Sequence, residues 1–115
     1  MAYDEKLADR IREALADLPD VKEKVMFSGV VFMVNGKMCI NVSHDDIMCR
    51  IDPAEHAVLM EREYTREMLM KGKMLKGYLY VEPEGTKTKK QLDFWIDKCL
   101  AFNKIAKASK KSKKK

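Results

Sequence analysis

Four short apolar segments follow one another in the first half of the chain. They cover about residues 23–28, 30–34, 37–43 and 46–51. In the third segment Met38, Ile40 and Val42 alternate with more polar residues, which is typical of a strand with one buried face. Asn35-Gly36 separates the second and third segments and predicts a two-residue type I′ turn, since both residues tolerate positive φ. The four segments therefore predict an antiparallel meander.

Three other segments have the spacing of amphipathic helices. The first is predicted to begin after a capping Asp4 and to end before Pro19, which keeps the preceding residue out of helical geometry. The second begins at Asp52-Pro53, a cap followed by a proline at the first helical position, and is predicted to end near Arg62. The third begins near Thr88. The apolar stripes of the first and third helices are Leu7, Ile11, Ala14, Leu15 and Leu18, and Leu92, Trp95, Ile96, Cys99, Phe102 and Ala106.

Residues 63–76 fit two interpretations. Met68-Leu69-Met70 is either a short strand or a continuation of the second helix, and Gly72 and Gly77 favour the strand. A clearer strand follows at 78–81. The order helix, four strands, helix, two strands, helix predicts an α+β fold, an antiparallel sheet with helices packed on one face.

Length and charge indicate one folded unit with a basic end. The chain has 115 residues and a formal net charge of +5, and we expect a single domain over residues 1–106. Residues 107–115 contain six lysines and no acid, so they predict a solvated, mobile tail on a body that is close to neutral. No apolar run is long enough to span a membrane, and the N-terminus does not read as a secretory signal. With three widely spaced cysteines, these features predict a cytoplasmic protein with reduced thiols.

Four segments in the same order resemble the TfoX N-terminal domain family. Lys24-Val25-Met26-Phe27-Ser28-Gly29 is similar to its K-x-M-F-G-G segment, with Ser28 in place of a glycine. Residues 32–38 are similar to its hairpin. Residues 74–81 are similar to its P-M-K-G-[YW]-x-Y-V strand, where Leu75 interrupts the usual Met-Lys-Gly. Residues 92–102 are similar to its closing helix.

The resemblance implies a fold of the secretion-chaperone-like type and a link to regulators of natural competence and transcription. It implies no catalytic residues. Longer family members carry a second, helical domain, which we expect this chain to lack. The role of those members in competence is therefore a weak guide to the function of this chain.

Cysteine and histidine are the first candidates for chemistry. Cys39 and Cys49 lie on neighbouring predicted strands with His44 in the turn between them, so a thiol site or a Cys/Cys/His metal site is conceivable. Because no Cys-x-x-Cys pair and no fourth ligand are evident, we favour small buried residues and a turn histidine. His56 is predicted to lie at the surface.

Acidic and glycine pairs give weak signals. Asp45-Asp46 and Glu82/Glu84 are ordinary turn residues, and Gly72 and Gly77 lack the Lys-Ser/Thr of a phosphate-binding loop. We therefore predict no catalytic residue, no metal site and no cofactor, and expect that the protein is not an enzyme.

Methionine and lysine point to surfaces. Nine methionines mean either a core filled with Met or a flexible, apolar docking patch. Met68, Met70 and Met74 are the predicted partner or dimer surface, on a short edge strand. The predicted nucleic-acid contacts, nonspecific and salt-sensitive, are the tail lysines Lys107, Lys110, Lys111, Lys113, Lys114 and Lys115.

These features predict a non-enzymatic regulatory or protein-interaction domain that forms a homodimer and binds an unknown protein. The alternatives are nonspecific nucleic-acid association through the tail and, less favoured, a small thiol or metal enzyme.

Overall fold

The computed structural model describes residues 3–26 and 29–106, with the backbone alone described at Met26 and Met70. The helices are α1 (Glu5–Ala14), α2 (His56–Leu59) and α3 (Lys89–Asn103), with 3-10 turns at Pro53–Glu55 and Pro83–Gly85. The strands are β1 (Val21–Met26), β2 (Gly29–Val34), β3 (Lys37–Ser43), β4 (Asp46–Arg50), β5 (Thr65–Met70) and β6 (Lys73–Val81). The predicted order of elements and the α+β class are confirmed.

The six strands form one antiparallel sheet in the order β1-β2-β3-β4-β6-β5. The hairpin between β2 and β3 turns at Asn35 and Gly36, with φ of 56° and 77°. These angles match the type I′ turn that the sequence predicts. Phe27 and Ser28, part of the first predicted strand, lie outside the described residues.

All three helices bury their apolar residues against one side of the sheet. The core contains Ile11 of α1, Leu59 of α2 and Trp95 of α3 together with every second residue of the central strands, such as Ile40 and Ile47. The sheet therefore has a helix-covered face and a helix-free face.

The first helix is shorter than predicted. Asp4 caps it as expected, its side chain accepting hydrogen bonds from the N–H groups of Lys6 and Leu7 at 3.0 and 3.1 Å. The helix ends at Ala14, and Leu15 and Leu18 reach the core from the turn that follows. Apolar spacing fixes which residues are buried but not whether the last of them is still helical.

The second helix is also shorter, and the last strand is longer. The prediction that the helix reaches Arg62 is wrong, because α2 ends at Leu59. The hydroxyl of Thr65 donates to the carbonyls of Met60 and Arg62 at 3.2 and 2.8 Å, and Tyr64 adopts a φ of 69°. These contacts turn the chain into β5. Strand β6 begins at Lys73 instead of Tyr78.

The third helix is capped at both ends. Thr88 and Gln91 form the predicted capping box. At the other end, the Nζ atom of Lys37 donates to the carbonyls of Asn103 and Ala106 at 2.6 and 3.0 Å. The side chain of Asn103 donates to the carbonyl of Val34 at 3.0 Å, which fixes the end of α3 against the β2–β3 hairpin. Among the described residues, no helix is long and apolar enough to cross a bilayer.

Candidate functional site: the helix-free sheet face and the hairpin arm

One row of side chains crosses all six strands on the helix-free face. Residues that pair directly on neighbouring strands point to the same side of a sheet. The pairings place in this row Lys24, Val31, Asn41, Met48, Tyr80 and Arg66. The row is charged at its two ends and, apart from Asn41, apolar or aromatic in between.

The centre of this face is apolar. Val31 and Met48 are 1% and 5% exposed, yet neither belongs to the core that the helices cover. Met33 pairs with Met38 beside the row, and both are half-buried. Antiparallel sheets with one open face usually place polar side chains there. The apolar centre is therefore the property that distinguishes this surface.

Asn41 introduces one buried polar group into that apolar centre. The residue is 6% exposed, and its Oδ1 atom is buried without a hydrogen-bond partner. A buried amide oxygen that lacks a donor costs about 1–3 kcal/mol. The face thus has an unused hydrogen-bond acceptor at its middle.

The acidic residues of the β4 and β6 turns lie at one edge of this face. Arg66 forms ion pairs with Asp46 and with Glu82, the latter at 3.1 Å, and its guanidinium lies 4.8 Å from the centre of the Tyr80 ring. Glu84 pairs with Lys87 at 3.0 Å. These carboxylates are held by cations of the same chain and belong to surface ion pairs.

The β5–β6 hairpin projects past the end of β4. The pairing of β4 with β6 runs from Ile47–Val81 to Arg50–Tyr78. Beyond it, β6 bulges, and its next pairs are with β5 alone, Leu69–Met74 and Met70–Lys73. We name residues 68–76 the hairpin arm.

The tip and the base of the arm have distinctive backbones. At the tip, Lys71 and Gly72 have φ of 55° and 81°, the combination of a type I′ turn. At the base, Gly77 has a φ of 94°. Its carbonyl accepts the N–H of Ile51 at 2.8 Å, and its N–H donates to Nδ1 of His56 at 2.9 Å. Two hydrogen bonds therefore hold the base of the arm to the body of the domain.

The predicted methionine surface is divided between these two features. Alternation from Arg66 places Met68 on the helix-free side of β5, where it is half-buried. Met74 lies on the arm, 45% exposed, opposite Leu69, which is 62% exposed. The side chain of Met70 and all six tail lysines lie outside the described residues. Their roles stay predictions.

The three thiols meet at the contact between α3 and the sheet. Cys99 contacts both Cys39 and Cys49, and all three are free and buried. Burial raises the pKa of the Cys99 thiol. The contact with Cys99 and then burial raise the pKa of Cys39. Both therefore stay protonated at neutral pH and are poor nucleophiles. The sequence placed Cys99 on an apolar helical stripe but gave no signal of which strand residues it meets.

His44 does not join the thiols. It is exposed in the β3–β4 turn, with a φ of 54°. Cys49 pairs with Ile40, four residues along β3 from His44, which is about 13 Å of strand. The Cys39/Cys49/His44 grouping, which the sequence left as the less favoured alternative, is therefore not formed. Within the described ranges, no group of three or more His, Cys, Asp or Glu side chains could hold a metal ion.

The prediction that His56 lies at the surface is wrong. The residue is 3% exposed, because the short α2 packs against β6 and the ring accepts the N–H of Gly77 there. A Cβ atom on Gly77 would lie 3.1 Å from the ring of Pro53. The Nδ1 atom of His56 accepts the N–H of Gly77, so the histidine is a structural support for the base of the arm. Its Nε2 atom is buried without a hydrogen-bond partner.

One open cleft lies away from both surfaces. It has a volume of about 330 Å³ and is lined by Arg62, Tyr64 and Trp95 among others. The guanidinium of Arg62 lies 4.0 Å from the centre of the Phe94 ring. This cation of the cleft therefore already forms a cation–π contact within the chain.

The protein is an α+β domain: a single antiparallel sheet with helices on one face and a projecting hairpin. Its distinctive features are two surfaces, the helix-free face and the hairpin arm. The family model of the TfoX N-terminal domain matches residues 13–103. The chain therefore belongs to the TfoX N-terminal domain family, which is not known to be enzymatic. Comparison with curated proteins and with solved structures gave no match.

Proposed function

We propose that this protein is a non-enzymatic regulatory domain that acts by binding another protein through the helix-free face, and that a second copy of the chain is its first partner. Membership of the TfoX N-terminal domain family supports a regulatory role. The observation that carries the proposal is the set of half-buried methionines, Met33, Met38 and Met68, around the buried apolar centre of the sheet face that α1, α2 and α3 leave free. We also propose a cytoplasmic location, which the three free thiols support.

Methionines make this face suitable for docking. Met33, Met38, Met48 and Met68 are distributed over four strands of the same side. Methionine side chains are flexible and polarizable, so they adapt to an apolar partner. Two antiparallel sheets pack face to face at about 10 Å with their side chains interdigitated.

Charged variants of the half-buried methionines test the proposed dimer. Met33→Glu and Met38→Glu each place a carboxylate in the interface, which costs binding free energy unless it is paired. Sedimentation velocity at about 10–300 µM, concentrations at which an interface with a micromolar Kd is occupied, should give a dimer for the unmodified chain and a monomer for both variants. Val58→Glu, at a residue 66% exposed on α2, is the matched control and should stay dimeric.

Two further variants locate the contact. Met68→Glu alters the helix-free side and Met74→Glu alters the arm. Loss of the dimer with Met68→Glu alone places the contact on the sheet face. Loss with Met74→Glu alone places it on the arm and contradicts the proposed face. A monomeric unmodified chain throughout this range would exclude the homodimer.

A further inference from the structure

The hairpin arm carries a concentrated positive charge. Lys71, Lys73 and Lys76 are exposed, and residues 68–77 contain no acid. None of the ion pairs found among the described residues involves these three lysines. The three lysines lie within six consecutive residues, one in the turn and two on β6, and the turn at Lys71-Gly72 places them at the projecting end of the arm.

The arm also exposes two apolar side chains between its lysines. Leu69 and Met74 face one another across the ribbon and are 62% and 45% exposed. Apolar residues flanked by cations can contact sugars, thymine methyl groups or base steps while the cations hold the phosphates. This combination favours a polyanion that offers both phosphate and apolar surface.

We propose that the hairpin arm is a β-ribbon that binds duplex nucleic acid, with Lys71, Lys73 and Lys76 on the phosphates and Leu69 and Met74 in the groove. The major groove of B-DNA is about 12 Å wide and 8.5 Å deep and admits a two-stranded ribbon. Three residues of extended strand beyond the bulge give the arm a length on the order of 10 Å, which is close to that width, so a ribbon laid flat with Leu69 and Met74 toward the bases keeps its lysines near the phosphates of the rims.

A lipid bilayer is the less suitable partner. The residues at the very tip are Lys71, Gly72 and Lys73, so insertion would carry two ammonium groups into the membrane ahead of Leu69 and Met74. In a groove, by contrast, phosphates line both walls and are available to the tip.

The arm is expected to bind without marked sequence preference. Specific readout of bases relies mainly on bidentate contacts from Arg, Asn and Gln, whereas lysine acts chiefly as a point charge; residues 68–76 contain lysine but none of the other three. Binding through lysine alone is nonspecific and salt-dependent, with a slope of about −0.9 in log K against log salt for each phosphate contacted. This activity is independent of the proposed dimer.

Fluorescence anisotropy with a labelled 20-base-pair duplex tests the arm in the full chain, over about 50–200 mM NaCl, the range in which phosphate contacts are most salt-dependent. The arm variant combines Lys71→Asn, Lys73→Gln and Lys76→Gln, where asparagine keeps the positive φ of the turn. The control variant combines Lys6→Gln, Lys90→Gln and Lys104→Gln, exposed lysines outside the arm with the same change in charge. A tail variant changes all six tail lysines to Gln.

The arm variant should bind at least tenfold more weakly than the control variant at the lowest salt, with a salt slope shallower by about 3. A second arm variant, Leu69→Ser with Met74→Ser, should weaken binding with the slope unchanged. Circular dichroism should show that every variant is folded. Equal affinities of the arm and control variants would overturn the proposal, as would complete loss in the tail variant with full affinity in the arm variant. Binding of the unmodified chain to vesicles with anionic phospholipid but not to the duplex would overturn it as well.

Discussion

The Nδ1 atom of His56 accepts a hydrogen bond from the backbone N–H of Gly77 at 2.9 Å, across 21 residues of sequence. The contact joins the short α2 to the bulge at which β6 leaves the sheet and enters the hairpin arm. A histidine that accepts at Nδ1 carries its proton on Nε2 in the neutral form. The buried ring is therefore held in one tautomer by the base of the arm.

Replacing His56 with alanine should destabilise the domain and loosen the arm. The change leaves the N–H of Gly77 buried without an acceptor and also leaves a cavity, so we expect a loss of about 2–4 kcal/mol in the free energy of unfolding. His56→Asn keeps an acceptor and should lose less. Urea unfolding followed by circular dichroism measures both, and equal losses in the two variants would show that the hydrogen bond contributes nothing.

Replacing Gly29 with alanine should disrupt the sheet. A Cβ atom at this position would lie 1.9 Å from the carbonyl oxygen of Val42, and a backbone atom has little room to move. We expect a loss of more than about 3 kcal/mol or failure to fold. Gly36→Ala, in open space at a φ of +77°, should cost only about 1–2 kcal/mol. Urea unfolding of the pair provides the comparison, and similar costs would contradict the close approach of β2 and β3.

The buried thiols should make the domain less stable in alkali. The pKa values of Cys39 and Cys99 are raised in the folded chain, so above pH ~8.5 the unfolded chain releases protons that the folded chain retains. Stability is then complete below about pH 8 and falls as the pH rises, by up to about 1.4 kcal/mol per pH unit for each thiol.

The measurement for the thiols is urea unfolding between pH 7 and 10. The variant Cys39→Ala/Cys99→Ala serves as the reference, because lysines and tyrosines titrate equally in both proteins. The stability of the unmodified chain should fall more steeply than that of the variant. If the free energy of unfolding fell with pH equally in both proteins, the two thiols would titrate alike in the folded and unfolded chains.

The end of α3 should depend on two side chains of neighbouring elements. Lys37→Met removes the cation that binds the carbonyls of Asn103 and Ala106, and we expect a loss of about 1 kcal/mol. Asn103→Ala removes the donor to Val34 and should cost about 1–3 kcal/mol. Thermal unfolding of the single variants and of the double variant tests this, and additive losses would mean that the two contacts act independently.

Local rules were sufficient for much of the fold. Asp4, Thr88 and Gln91 identified the helix starts, since capping is a contact between residues two or three positions apart. Asn35-Gly36 identified the central hairpin, because its φ angles depend on those two residues alone. The same rules did not predict where α2 ends, because its end is set by the hydroxyl of Thr65 and the positive φ of Tyr64.

The surfaces were harder to predict. The tip turn at Lys71-Gly72 requires a positive φ from a lysine, a residue that seldom adopts one, so the turn and the projecting arm were not predicted. His56 was misplaced because its partner, Gly77, is distant in sequence. The grouping of Cys39 and Cys49 with Cys99 instead of His44 likewise depends on how α3 crosses the sheet.

The sequence by itself determined the order of the elements, the central turn and the family, because these follow from contacts between near neighbours and from the alternation of apolar residues along each strand. Tertiary structure alone decided which face of the sheet the helices cover, that Asn41 and Met48 lie side by side on the other face, and that residues 68–76 form an arm that projects past β4. Those arrangements arise from strand register and from hydrogen bonds between residues far apart in the chain, which no local pattern encodes.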